Sequence, residues 1–137
     1  MEQRPQFDSR FLIGIEQVDN EHRRLFEIAA NVYDALGASD MVAIAAARAA
    51  IAELHDFTAK HFASEEALME AAGYPGLAEH SAVHHHLLSQ THDMEVRAEI
   101  GKQYVPAELS HFLYSWLIEH IQTYDKKFGE FMAALSK

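Results

Sequence analysis

Four long segments, separated by short stretches that contain glycine or proline, make up most of this sequence. The separating stretches are Gly37, residues 73–76 (GYPG) and residues 101–106. Alanine, leucine and glutamate, which favour helices, dominate the segments, and none shows the strict alternation of a strand. The sequence therefore predicts an all-α fold with helices at residues 19–36, 40–72, 77–102 and 106–128. Asp19 suits an N-cap, Gly37 a helix stop and Pro106 a first helical turn.

Short links between the predicted helices favour an up-down-up-down four-helix bundle. Residues 1–18 precede the first helix as an N-terminal arm. The apolar residues of this arm, such as Phe7 and Phe11, predict that it packs on the bundle. At 137 residues the chain has room for one domain, so we expect a single domain over residues 1–137.

The apolar stripe of each predicted helix is interrupted by histidine. A lone histidine on such a face is more often a hydrogen-bonded core residue than a metal ligand. Here the inward polar positions occur on all four helices, and burying so many groups without partners would prevent folding. A shared metal centre satisfies them together. The inward residues are His22, His61, Glu65, His80, His84 and His120.

The other histidines fall off the stripes and are predicted to be surface residues: His55, His85, His86, His92 and His111.

Spacing supports the metal centre, because side chains four residues apart lie on one helix face. His61 with Glu65 and His80 with His84 have this spacing. Asp125 lies five residues after His120, which corresponds to about 140° of helical turn. It reaches the same site only if the helix widens into a π-bulge, a feature of functional sites. From spacing alone, a surface carboxylate at Asp125 stays an open alternative.

The types of side chain available as ligands limit which metal the centre can bind. The chain has no cysteine, which excludes disulfides, iron–sulfur clusters and thiolate zinc sites. Imidazole and carboxylate suit iron, manganese or zinc. Five histidines and two carboxylates are too many for one ion and fit two ions bridged by the carboxylates. Helix-bundle di-iron oxygenases use more carboxylates, so this set favours reversible oxygen binding over oxygen activation.

Charge and hydropathy exclude other classes of partner. A formal net charge of −10 disfavours nucleic acid and anionic membrane surfaces. Residues 1–10 lack the apolar core of a signal peptide, and no apolar run reaches transmembrane length. We therefore expect a cytoplasmic protein without nucleic-acid or membrane partners.

Four segments resemble the hemerythrin family, in particular its single-domain bacterial members, the bacteriohemerythrins. Together they reach from residue 14 to residue 125, nearly the whole chain. They are residues 14–22 (GIEQVDNEH), residues 61–66 (HFASEE), residues 73–75 (GYP) leading to His80 and His84, and residues 116–121 (WLIEHI) followed by Asp125.

The resemblance implies two iron ions with an oxo or hydroxo bridge. One iron would be bound by His22 and His61, and the other by His80, His84 and His120. Glu65 and Asp125 would bridge them, which favours ligation by Asp125. Dioxygen would bind at the open position of the iron that has two histidines.

An apolar pocket is expected beside that iron, with five candidates by position: Leu25, Thr58, Phe62, Trp116 and Leu117. Ordinary core packing is an equal interpretation of Trp116. Thr58 stands where the resemblance leads one to expect a bulky aliphatic residue. Our hypothesis is that its hydroxyl, or the extra space, speeds autoxidation or admits water. An unchanged autoxidation rate in Thr58→Ile would contradict this.

The predicted function is reversible dioxygen binding by a carrier or store, not an enzyme, with a weak redox or peroxidase side activity left open. One alternative is an oxygen or redox sensor that signals to an unidentified protein partner. Another is a di-iron reductase of peroxide or nitric oxide. Metal storage alone is disfavoured, because storage needs no such set of ligands.

Overall fold

The computed structural model of the protein describes residues 4–99 and 105–135. Within these ranges it is all-helical, without a strand, as predicted. No helix in them combines the length and apolarity needed to cross a membrane. The helices are α1 (Glu16–Ala35), α2 (Asp40–Ala72), α3 (Leu77–Glu99), α4 (Val105–His120) and α5 (Lys126–Leu135), with a 3-10 turn at Ser9–Phe11 and a π turn at Ile121–Asp125.

The first helix begins earlier than its sequence suggested. The N-cap is Ile15, and α1 starts at Glu16, so the prediction that Asp19 caps the helix is wrong. Asp19 lies in the first turn and is buried, where its carboxylate accepts hydrogen bonds from the backbone N–H groups of Ile13 (2.9 Å) and Gly14 (3.2 Å). An acidic residue there also suits the positive end of the helix dipole. Asp19 therefore ties the N-terminal arm to the bundle.

The second and third helices begin and end close to the residues that the sequence predicts as helix ends. Ser39 caps α2 by accepting a hydrogen bond from the Val42 N–H (3.3 Å). Gly73 ends α2 with a φ of 68°, in the left-handed region that glycine adopts without strain. The helix α3 begins at Leu77, as expected, while its predicted end at residue 102 lies outside the described residues.

The fourth predicted helix is interrupted. A π turn separates α4 from α5, and α5 continues to Leu135, beyond the predicted end at residue 128. The buried side chain of Phe128 packs near Tyr74, with ring centroids 5.2 Å apart, and anchors this extension.

Contacts between neighbouring helices run in opposite directions along the chain, which confirms the up-down-up-down bundle. Between α1 and α2, Gln17 contacts Ser64, and Arg24, which comes later on α1, contacts Glu53, which comes earlier on α2. Between α2 and α3, the ring of Phe62 meets His84, and that of His55 meets His92. Between α3 and α4, Arg97 pairs with Glu108 and His84 lies near His120.

The N-terminal arm packs on the bundle. The ring of Phe11 is 4.9 Å from that of Phe26 on α1, and Phe7 completes this cluster at 5.6 Å from Phe26. On the other side of the arm, the helix α5 approaches the backbone of Ile13 closely at Gly129.

Candidate metal centre

Seven polar side chains meet in the middle of the bundle. They include the six inward residues predicted from the apolar stripes, and Asp125. Each is at most 5% exposed, although histidine and carboxylate side chains normally favour water. They come from the helices α1 to α4 and from the π turn: His22 from α1, His61 and Glu65 from α2, His80 and His84 from α3, His120 from the end of α4, and Asp125 from the π turn.

The smaller of two groups of ligand atoms contains two histidines. His22 Nε2 lies 2.9 Å from Asp125 Oδ2 and 3.9 Å from Glu65 Oε2. His61 Nε2 lies 3.7 Å from the same Glu65 oxygen. These four residues could hold one metal ion.

The larger group contains three histidines. His80 Nε2 lies 2.9 Å from both Glu65 Oε1 and Asp125 Oδ1. His84 Nε2 lies 3.2 Å from Glu65 Oε1, and His120 Nε2 lies 3.1 Å from Asp125 Oδ1. These five residues could hold a second ion. Ligand atoms about 2.1 Å from one ion and at right angles to each other are about 3 Å apart, close to these distances.

The two carboxylates belong to both groups. Glu65 and Asp125 each present one oxygen to the two-histidine group and the other oxygen to the three-histidine group. A carboxylate oriented in this way can bridge two ions.

The ligand atoms lack hydrogen-bond partners among the described residues. All five histidine Nε2 atoms and all four oxygens of Glu65 and Asp125 are buried and unpartnered. They lie close together, but the contacts between them do not have the geometry of hydrogen bonds. Buried polar groups in folded proteins are normally paired, so the chemistry of this donor set fits bound cations.

The π turn explains how Asp125 reaches the site. In a regular α-helix five residues would rotate Asp125 away from His120, but the wider turn at Ile121–Asp125 absorbs the difference. Asp125 is fully buried, so the alternative of a surface carboxylate is wrong.

Two further carboxylates orient histidine rings, and sequence reasoning gave them no role. Glu21 Oε1 lies 2.8 Å from His61 Nδ1, and Glu66 Oε2 lies 2.9 Å from His84 Nδ1. A carboxylate at Nδ1 favours the tautomer whose Nε2 is free to bind a metal. Both glutamates lie in the segments that resemble the hemerythrin family. Their histidine partners are on other helices, so the spacing along one helix could not predict these pairs.

The carboxylates strongly affect the protonation of the cluster. Burial opposes the charge on His80, but Asp125 and Glu65 outweigh it and raise the pKa of His80 to about 9. Burial also acts to raise the pKa of Asp125, but the surrounding imidazoles, that of His120 first, hold this pKa well below its usual value. Burial and Asp125 act to raise the pKa of Glu65, which neighbouring histidines nevertheless lower. Without metal, the site is therefore an assembly of carboxylates and at least one imidazolium.

Aromatic rings pack against the three-histidine group. The ring of Phe62 stacks on that of His84 with centroids 3.7 Å apart and planes at 3°. Trp116 stacks near His120 at 6.1 Å and contacts Phe62 at 6.0 Å. Phe62 also lies 5.7 Å from His61 and so touches both groups. For Trp116, this position is consistent with core packing beside His120.

The other three pocket candidates are almost completely buried. Leu25, Thr58 and Leu117 are each 1% exposed. The structure thus places all five candidates in the core, while their contact with a ligand stays a prediction.

The remaining histidines lie outside the centre. His85, His86, His92 and His111 are exposed, and His55 is half-buried. In the described part of the chain, both groups of three or more histidines and carboxylates that could hold a metal belong to this one centre.

A groove of about 540 Å³ is lined mostly by residues of α3 and α4. Leu87, Phe112 and Trp116 line it together with His120 of the three-histidine group. The three-histidine group is therefore the part of the centre closest to this groove.

Comparison with known proteins agrees with the geometry. Residues 13–131 match the family described as Hemerythrin HHE cation binding domain. The chain is 38% identical over 112 residues to a protein of Pseudomonas aeruginosa named Bacteriohemerythrin, covering 82% of this chain and 71% of that protein. Proteins with the same name are similar to it in Stenotrophomonas maltophilia (34% identity, 86% and 74% covered) and Methylococcus capsulatus (28% identity, 92% and 94% covered).

Proposed function

The chain belongs to the hemerythrin family, and from this we propose that it binds dioxygen reversibly at a di-iron centre, as a carrier or store rather than an enzyme. The observation that carries the proposal is the pair of ligand groups joined by two carboxylates. We also propose that residues 1–137 form one domain around this centre.

The proposed ligands are the seven residues of the centre. His22 and His61 would hold one iron, and His80, His84 and His120 the other, with Glu65 and Asp125 shared between them. The buried, unpartnered nitrogen and oxygen atoms of these side chains support the assignment. When bound, the two ions would supply the electrons and the open coordination position that dioxygen needs.

The unequal number of histidines suggests where the ligand binds. With the carboxylates shared, the two-histidine group offers one nitrogen fewer than the other group, so the proposed open position is on that side. The side chains of Leu25 and Leu117, both buried, contribute an apolar core that excludes bulk water. Water exclusion favours reversible binding, because without water a charged, reduced form of oxygen is not solvated and so does not leave the pocket.

The donor set supports binding over oxygen activation. With five imidazoles and two carboxylates, the centre has less anionic oxygen than the carboxylate-rich sites of helix-bundle di-iron enzymes. Anionic oxygen ligands stabilise high-valent iron, and a histidine-rich set does so less.

The experiment is a spectroscopic oxygen titration of the iron-loaded protein. The protein is loaded with ferrous iron without air, its iron content is measured, and the visible spectrum is recorded as air is admitted and removed. We expect two irons per chain and an absorption band that appears with oxygen and disappears on its removal. A His61→Ala variant, which keeps the three-histidine group, should lose the band.

Two results would contradict the proposal. One iron or none per chain would show that the site assignment is wrong. Two irons that convert at once and permanently to an oxidised form would favour an enzyme or a redox sensor over a carrier.

A further inference from the structure

The hydroxyl groups of two buried threonines on the bundle helices differ in their hydrogen bonding. Thr91, which is 3% exposed, donates a hydrogen bond of 2.9 Å to the Leu87 carbonyl, four residues earlier on α3. This is the common way for a threonine within a helix to satisfy its hydroxyl. Thr58, which is 1% exposed, could use the carbonyl of Leu54 in the same way, but its Oγ1 has no hydrogen-bond partner among the described residues.

The position of Thr58 places it beside the two-histidine group. Thr58 precedes His61 by three residues and lies on the same buried face of α2. Side chains on a helix lean towards its N-terminus, so the His61 imidazole leans towards the turn that contains Thr58.

The helix α1 packs antiparallel to α2 and contributes an apolar side chain to the same core. Contacts between the two helices run from Glu21 with His61 to Arg24 with Glu53. Leu25, one turn after His22, and Thr58, one turn before His61, are each 1% exposed, so both belong to the core next to these histidines. The surroundings of the Thr58 hydroxyl combine the two-histidine group with apolar side chains.

A buried hydroxyl without a partner destabilises the folded protein, and folded proteins rarely keep one without a reason. A ligand with an acceptor atom at the two-histidine group would give this hydroxyl a partner. We propose that Thr58 is a ligand-binding residue, whose hydroxyl donates a hydrogen bond to a small ligand bound at the two-histidine group. This inference rests on the proposed function and extends it to ligand selection.

The ligand class follows from the donor. A hydroxyl that donates into an apolar pocket favours small ligands that carry negative charge on an atom remote from the metal, because hydrogen bonds to charged acceptors are the stronger ones. It contributes little to an uncharged ligand without an acceptor. Thr58 would thus select small linear anions, and small ligands that become anionic once bound.

Azide, a small linear anion that binds ferric iron, is the probe. The iron-loaded, oxidised protein is titrated with azide and the dissociation constant is read from the visible spectrum. Thr58→Val keeps the shape and removes the hydroxyl, whereas Thr58→Ser keeps the hydroxyl. Thr91→Val is the matched control, because it removes a buried hydroxyl that already has a partner.

We expect azide to bind about tenfold more weakly to Thr58→Val, as for the loss of one hydrogen bond to a charged group. Thr58→Ser and Thr91→Val should keep the affinity of the unmodified protein. Equal azide affinity in Thr58→Val and the unmodified protein would overturn the inference, as would an equal loss in Thr91→Val.

A second readout needs no metal. In the metal-free protein, Thr58→Val should leave the melting temperature unchanged or raise it, since the hydroxyl it removes has no partner. Thr91→Val should lower it. A similar decrease in both variants would show that Thr58 has a structural partner and would overturn the inference. If the unmodified protein binds fewer than two irons or forms no azide complex, the proposed function itself fails, which is a different result.

Discussion

Two carboxylates hydrogen bond to histidines of the centre, and removing each of them should weaken the binding of a different ion. Glu21 hydrogen bonds to His61 of the two-histidine group, and Glu66 to His84 of the three-histidine group. Because each carboxylate orients one ring and no ring is shared, Glu21→Ala should act on one ion and Glu66→Ala on the other.

The magnitude follows from the geometry of these contacts. At 2.8 and 2.9 Å both have the length of charge-assisted hydrogen bonds. Losing such an orienting partner weakens metal binding by about 10- to 100-fold. The side chains of Glu21 and Glu66 are 24% and 28% exposed, so water screens part of the interaction. We therefore expect a loss near the lower end, about tenfold or about 1.4 kcal/mol.

The assay is an anaerobic titration of the metal-free protein with ferrous iron in competition with a chelator, from which two stepwise binding constants are obtained. Each single variant should lower one constant, and the double variant should lower both. Glu119→Ala is the control, because it removes an exposed carboxylate beside His120 in the sequence and changes the net charge equally.

Two results would refute this reasoning. If Glu119→Ala weakened iron binding as much as Glu21→Ala, the effect would be one of overall charge and not of ring orientation. If Glu21→Ala and Glu66→Ala lowered the same constant, the division of the ligands into two groups would be wrong.

Three further predictions concern stability. Iron loading should raise the melting temperature by roughly 10 °C, since an ion present at about a thousand times its dissociation constant stabilises the fold by about 4 kcal/mol; calorimetry with and without a chelator tests this, and equal melting temperatures would contradict it. In the metal-free protein the pKa of His80 is raised to about 9, so its stabilising contribution is complete below about pH 6.5 and is lost as the pH rises through 9. The lowered pKa values of Glu65 and Asp125 have the opposite sign, with stability present above about pH 4 and lost in acid. Urea unfolding from pH 2 to pH 10 should therefore show the highest stability between about pH 4 and pH 6.5, and a continued rise above pH 9 would contradict the raised pKa of His80. Finally, a Cβ at Gly129 would clash with the carbonyl oxygen of Ile13, so Gly129→Ala should displace the arm and lower the free energy of unfolding in urea by about 1–3 kcal/mol. An unchanged unfolding midpoint would contradict this prediction.

The sequence by itself determined the approximate positions of the helices and the direction of most of the proposed ligand side chains. The period of 3.6 residues is a local property, so the apolar stripes were enough to place His22, His61, His80 and His120 on inner faces. The same period put Glu65 one turn after His61. Glycine and proline predicted where the helices are separated, because their effect on the backbone is also a local property.

Other features depended on how the helices pack. Regular helical spacing predicts that Asp125 points outwards, and only the π turn at Ile121–Asp125 brings it to the centre. The first turn of α1 could not be located from Asp19, because its carboxylate serves the arm at Ile13 and not the helix end.

The tertiary structure also decided which side chains face each other across the bundle. The pairing of Glu21 with His61 and of Glu66 with His84 joins different helices. The stacking of Phe62 on His84 does the same. Periodicity along one helix gives the direction of a side chain, but the level at which two helices meet is set by packing of the whole core. The sequence therefore determined most of the residues that point inwards, with Asp125 as the exception, and only the tertiary structure decided which atoms meet there.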